Sequence, residues 1–121
     1  MTAYGMDHDT RSVGWVRTAR KVFQTFPATV RDRVNTALTI AAEGGKADIA
    51  KPPKGLDPGV MEIAVRYQTD AWRVIYVTEV ARQLWVIHAF RKKSKTGINT
   101  PKTEIDLARN RLARLRRELM S

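Results

Sequence analysis

"VMEIAVRYQTDAWRVIYVTEVARQLWVIHAF", residues 60–90, decides the architecture. In its first part Met61, Ile63, Val65 and Tyr67 alternate with Glu62, Ala64, Arg66 and Gln68, a period of two that predicts a half-buried strand. Thr69-Asp70 predicts a tight turn. "AWRVIYVT" predicts a second strand, Val80-Ala81 a second turn, and "QLWVIHAF" a third strand. Strands joined this closely predict an antiparallel meander.

The two turns also set a register. With Thr69-Asp70 as a two-residue loop, Tyr67 faces Trp72 and Arg66 faces Arg73. With the second turn centred on Val80 and Ala81, Val77 faces Leu84, Ile75 faces Val86 and Arg73 faces His88. Arg66, Arg73 and His88 then form one row across three strands. The row runs toward the basic stretch Arg91, Lys92, Lys93 and Lys95.

Outward from the meander, residues 1–12 read as a flexible leader and Trp15-Val16 as a short strand. "TARKVFQTF" predicts a helix with Thr18 as N-cap, and "PATVRDRVNTALTIAAEGG" a longer helix opened by Pro27 and stopped by Gly44-Gly45. "KADIAKPPKGLDPG" reads as a loop. Past the basic stretch, Thr100 caps a last helix with Pro101 in its first position. Ile105, Ala108, Leu112, Leu115 and Leu119 give that helix an apolar stripe, with Arg109, Arg111, Arg114, Arg116 and Arg117 as its solvated side. The expectation is one α+β domain over residues 1–121. It has a small twisted antiparallel sheet, two N-terminal helices and a C-terminal helix.

Composition narrows the function. The chain has 121 residues, 43% apolar, enough for a core. Its 22 Lys and Arg outnumber 12 Asp and Glu, for a net charge of +10 that favours anionic partners. Ten of those cations, against three acids, lie between His88 and Ser121. Without cysteine there is no thiol chemistry. The two histidines, His8 and His88, are not spaced as metal ligands. No apolar run is long enough to span a bilayer, so a cytoplasmic protein without a membrane partner is expected.

A set of Arg, Lys and His without metal suits cleavage of RNA by its own 2′-OH. That reaction needs a base, an acid and cations on the phosphorane charge. His88 titrates near neutrality and fits the base or acid. Arg73 and Arg66 match phosphate geometry. Lys93 joins them as a candidate catalytic cation. Arg91, Lys92, Lys95 and Lys102 are candidate RNA or ribosome contacts.

The pattern resembles a known family. Glu62 and Arg66 on one strand, Trp72-Arg73 with Tyr76 on the next, then His88, Phe90, Lys92-Lys93, Thr100-Pro101, Glu104 and Ala108, are similar to the RelE/ParE toxin superfamily, in particular its phage-derived, HigB-like branch. Gly59 to Leu119 carry the resemblance. The loop Ser94 to Asn99 is longer than usual, and Trp72 replaces a commoner tyrosine. The resemblance implies the toxin of a type II toxin-antitoxin system. It would be a metal-independent, cofactor-free endonuclease that cuts mRNA in the ribosomal A site beside ribosomal RNA. It also implies a cognate helix-turn-helix antitoxin held in a hetero-oligomer. Arg73, His88, Lys92 and Lys93 match the family's site positions. Two other readings share these features: a ParE-like gyrase inhibitor, and a non-catalytic RNA- or ribosome-binding module.

Overall fold

The computed structural model describes residues 10–93 and 99–120. Lys95 and residues 1–9 of the expected leader lie outside them. In chain order the elements are β1 (Val13–Trp15), α1 (Arg17–Phe23), α2 (Ala28–Ala42), β2 (Ala50–Lys51), β3 (Val60–Tyr67), β4 (Asp70–Val80), β5 (Gln83–Lys93) and α3 (Lys102–Met120). The expected α+β class holds. The sheet has five strands in the order β1-β5-β4-β3-β2.

Two expectations about the sheet need correction. It is mixed, because β1 runs parallel to β5, pairing Val13 with Leu84 and Trp15 with Val86. The loop before the meander also contributes an edge strand, β2, with Ala50 opposite Ile63 and Lys51 opposite Glu62. Pro52 and Pro53 follow at once and have no N–H to extend the ladder, so β2 stops after two residues.

The helices start and stop for local reasons. α1 begins one residue before Thr18, which lies inside the helix and does not cap it. It ends at Phe23, earlier than expected, as Pro27 disfavours helical backbone at the residue before it. α2 starts directly after Pro27 and closes in a Schellman motif. Gly44 N–H donates to the Ala41 carbonyl and Gly45 N–H to the Ile40 carbonyl, with Gly44 at φ 94°. In α3 the Pro101 carbonyl takes the first helical bonds, from Glu104 and Ile105 N–H, so Pro101 holds the capping position expected of Thr100.

Two cores flank the sheet. On one face α1 and α2 bring Phe23, Phe26, Val30, Val34 and Leu38 against Ile63, Val65, Val74, Tyr76, Leu84 and Val86. On the other, Ala108, Leu112 and Leu115 of α3 pack on Val60, Ile75, Val77, Ile87 and Phe90. Leu119, expected in that stripe, is exposed.

The register differs from the expected one in a specific way. The first hairpin loop is Gln68-Thr69, with Gln68 at φ 57°, and Tyr67 pairs with Asp70. Arg66 therefore faces Ala71, and Arg73 faces Ala64. The second loop is Ala81-Arg82, both at positive φ, flanked by the pair Val80–Gln83. A bulge falls at Ile87, because Ile75 pairs with His88 while Tyr76 already pairs with Val86. Leu84 and Val86 thus face α1 and α2, whereas His88, Phe90 and Lys92 face α3. Without the extra residue His88 would point into the α1/α2 core.

Candidate functional site

The α3 face of the sheet carries three cross-strand rows: Glu62–Ile75–His88, Ala64–Arg73–Phe90 and Arg66–Ala71–Lys92. The expected straight row of Arg66, Arg73 and His88 becomes a diagonal across them. All three residues keep the same face, and the direct opposition of two arginines disappears, because each faces an alanine. Strand alternation puts Arg91 and Lys93 on the opposite face, away from Arg73.

Arg73 is the anchor of this face. It is 8% exposed, and its Nη1 lies 3.3 Å from Glu62 Oε1 and 3.3 Å from Thr100 Oγ1. Thr100 Oγ1 in turn sits 2.8 and 2.7 Å from the two Glu62 oxygens, donating to that carboxylate. A buried guanidinium and a half-buried carboxylate are thus tied to the residue that leads into α3. Lys92 stands beside them and donates to the Asn99 carbonyl at 2.7 Å. Burial and the nearby Arg73 charge hold the Lys92 ammonium below its ordinary pKa.

His88 is clamped. Its Nε2 is 2.7 Å from Glu104 Oε1, and its Nδ1 is 2.7 Å from Arg111 Nη1. A guanidinium only donates, so Nδ1 must accept and the ring proton sits on Nε2, donated to Glu104. Arg111 Nη1 also reaches the Ile87 carbonyl at 3.3 Å. Both ring nitrogens are occupied by α3 and the residue is 3% exposed, so in this arrangement His88 holds the helix and does not face a substrate. Burial, followed by the Arg111 charge, lowers its pKa, while the Glu104 bond acts against them.

The remaining expected residues divide. Arg66 is exposed on the same face and forms no ion pair among the described residues. Arg91 pairs with Asp70 and lies over the Trp72 ring, 5.3 Å from its centroid. Lys93 is exposed at the end of β5. Lys102 is exposed and 3.9 Å from Asp106 within α3.

Beside Arg73 opens a cleft of about 390 Å³ lined by Asp48, Ile49, Lys51, Glu62, Ala64 and Arg73. The sequence pattern missed Lys51 because two residues before a Pro-Pro pair carry no strand periodicity. It missed Arg111 because one inward arginine among five leaves no compositional trace. Among the described residues no group of His, Asp and Glu could hold a metal ion, and no helix is long and apolar enough to cross a membrane.

Comparison with known proteins agrees with this geometry. Residues 21–113 match the family of phage-derived Gp49-like proteins. None of the curated protein sequences matches the chain. Among solved structures, an arginine-to-alanine double mutant of Escherichia coli toxin RelE in the free state superimposes with a TM-score of 0.60, at 16% identity over 85% of this chain and 97% of that one. The isolated E. coli RelE toxin superimposes with a TM-score of 0.54, at 17% identity over 73% of this chain and 88% of that one. The matched family is a phage-derived one and the fold is RelE-like, as the resemblance implied. The chain is a member of the phage-derived Gp49-like family, built on the fold of the RelE toxin.

Proposed function

We propose that the protein is the toxin of a toxin-antitoxin pair and cuts mRNA on the ribosome without a metal ion. The observation that carries this reading is the Arg73–Glu62 pair at an open cleft on a RelE-like sheet, with Lys92 near enough for its ammonium to feel both charges. Arg73 binds the scissile phosphate and stabilises the charge that builds on it. The substrate's 2′-oxygen bonds to phosphorus, and Glu62 accepts its proton. The bond to the 5′-oxygen breaks, and Lys92, whose pKa is already depressed, gives that oxygen a proton. The products are a 2′,3′-cyclic phosphate and a 5′-hydroxyl. His88 positions α3, and through α3 it positions Thr100 and Arg73. Arg66 and Lys102 contact phosphates of the message or ribosomal RNA. A helix-turn-helix antitoxin encoded nearby holds the toxin inactive.

The test is induction of the gene alone and with its neighbour, followed by mapping of mRNA 5′-ends in the ribosome-bound pool. New ends at fixed codon positions, suppressed by the neighbour, are expected. Arg73→Lys and Lys92→Met should each lower cleavage on the order of a hundredfold. Intact mRNA accompanied by DNA breaks would overturn the reading in favour of gyrase inhibition. Salt-sensitive ribosome binding with intact mRNA would leave a binding module.

A further inference from the structure

The cleft beside Arg73 is walled on one side by the Arg73–Glu62 pair and on the other by the segment around β2. Its floor is Ala64, exposed in mid-strand between the longer side chains of Glu62 and Arg66. Ile49 lies alongside, its carbonyl accepting the Ala64 N–H at 3.0 Å. A small residue between two long ones leaves a flat apolar hollow, the shape that a planar base needs.

Asp48 and Lys51 also line the hollow, with Lys51 opposite Glu62 on the neighbouring strand. Both are exposed, and among the described residues neither forms an ion pair. Most of the described acids of this basic chain are paired with cations: Asp57, Glu62, Asp70, Glu79, Asp106 and Glu118 among them. A free carboxylate in a cleft suited to phosphate repels phosphate. Its chemistry is to accept N–H groups.

We infer that this cleft reads a guanine base next to the scissile phosphate, with Asp48 as the residue that sets the preference. The inference rests on the ribonuclease reading above for the phosphate at Arg73. Guanine alone offers two adjacent donors, N1–H and N2–H, on its Watson–Crick edge, and a carboxylate can accept both. The neighbouring O6 is an acceptor, which Lys51 supplies with a donor. Adenine places an N–H₂ donor where O6 stands, against the Lys51 ammonium. Uracil has one ring N–H between two acceptors, and cytosine has no ring N–H. Single-stranded RNA is read in this way, by stacking plus the Watson–Crick edge. The distances fit as well. From β4, which carries Arg73, to β2 is two strand spacings, about 10 Å, comparable to the span of one nucleotide from phosphate to base edge.

Two measurements on the full chain test this. In the first, cleavage ends are mapped in a reconstituted translation system for the wild type and for Asp48→Asn. Guanine should be enriched at one fixed position relative to the cut, and the variant should reduce that enrichment on the order of tenfold. In the second, methyl and amide NMR shifts follow titration with 5′-GMP, 5′-AMP, 5′-CMP and 5′-UMP. GMP should move Ala64 and Ile49 most, and Ala64→Leu, which fills the hollow at an exposed position, should abolish the response. Equal responses to the four nucleotides, or a base bias unchanged in Asp48→Asn, would overturn the inference. Selective GMP binding without any mRNA cleavage would support the base pocket and instead sink the nuclease reading.

Discussion

Two nitrogen atoms of one ring govern how His88 responds to pH. The folded state keeps the imidazole neutral, because Arg111 needs an acceptor at Nδ1 and burial opposes charge. Below about pH 6.5 the unfolded chain takes up a proton there that the folded chain resists. The stabilisation is therefore complete above that pH and is lost as pH falls through the lower, folded-state value. Thermal unfolding should show Tm dropping between pH 7.5 and 5.5 in the wild type, and a shallower drop in His88→Asn. Arg73 makes a complementary prediction. Removing it leaves the Glu62 carboxylate, 11% exposed at the side chain, with Thr100 but without its cation. Arg73→Ala should cost about 3 kcal/mol in urea denaturation, and Arg73→Lys clearly less. Lost activity in the alanine variant alone would thus mix chemistry with folding. The residue types on this face were legible in the sequence, since Arg, Lys and His on alternating strands signal phosphate chemistry. The pairing of Arg73 with Glu62 and Thr100 was not, because it joins residues 27 and 38 positions apart or bridges neighbouring strands whose register was unknown.

At the scale of elements, shifted turns and two irregularities in the β4–β5 ladder explain why the meander was readable and its register was not. Period-two alternation identified β3, β4 and β5 correctly. It cannot show a bulge, because Ile87 and His88 are both compatible with an unbroken run. The Ala81-Arg82 turn is a similar case. Both residues hold positive φ, at 52° and 68°, without the Asn or Gly that such a turn favours. Ala81→Asn with Arg82→Gly should therefore stabilise the protein by about 1 kcal/mol, read from the denaturation midpoint at unchanged m-value. β1 gives the opposite sign. A Cβ on Gly14 would lie 2.7 Å from the Trp85 ring, inside contact distance. Gly14→Ala should cost about 1–3 kcal/mol, as overpacked sites do, and loosen the parallel pairing of β1 with β5. That pairing was invisible in advance, since three residues are too few to show a period and the partner lies some seventy positions away.

For the whole molecule, the net charge of +10 is the dominant long-range property. Ribosome or RNA binding should weaken steeply with salt, and a plot of log K against log salt should have a slope of several units. Lys92→Met and Arg66→Gln should each reduce that slope by about one unit. The charge also bears on α3. Among the described residues the helix is held to the rest of the chain by ion pairs and hydrogen bonds such as Arg116–Asp57 at 2.9 Å, and by its apolar stripe. The sheet, by contrast, is paired on both sides of β4 from Asp70 to Val77.

The two-residue length of β2 has a consequence for behaviour in concentrated solution. An open sheet edge invites pairing with a second chain and growth into fibres. Here that edge offers almost no run of backbone donors, and the prolines at 52 and 53 cannot add any. Pairing of a second chain along β2 itself is therefore disfavoured. Replacing both prolines with a β-branched residue should turn the same border into a nucleus for aggregation.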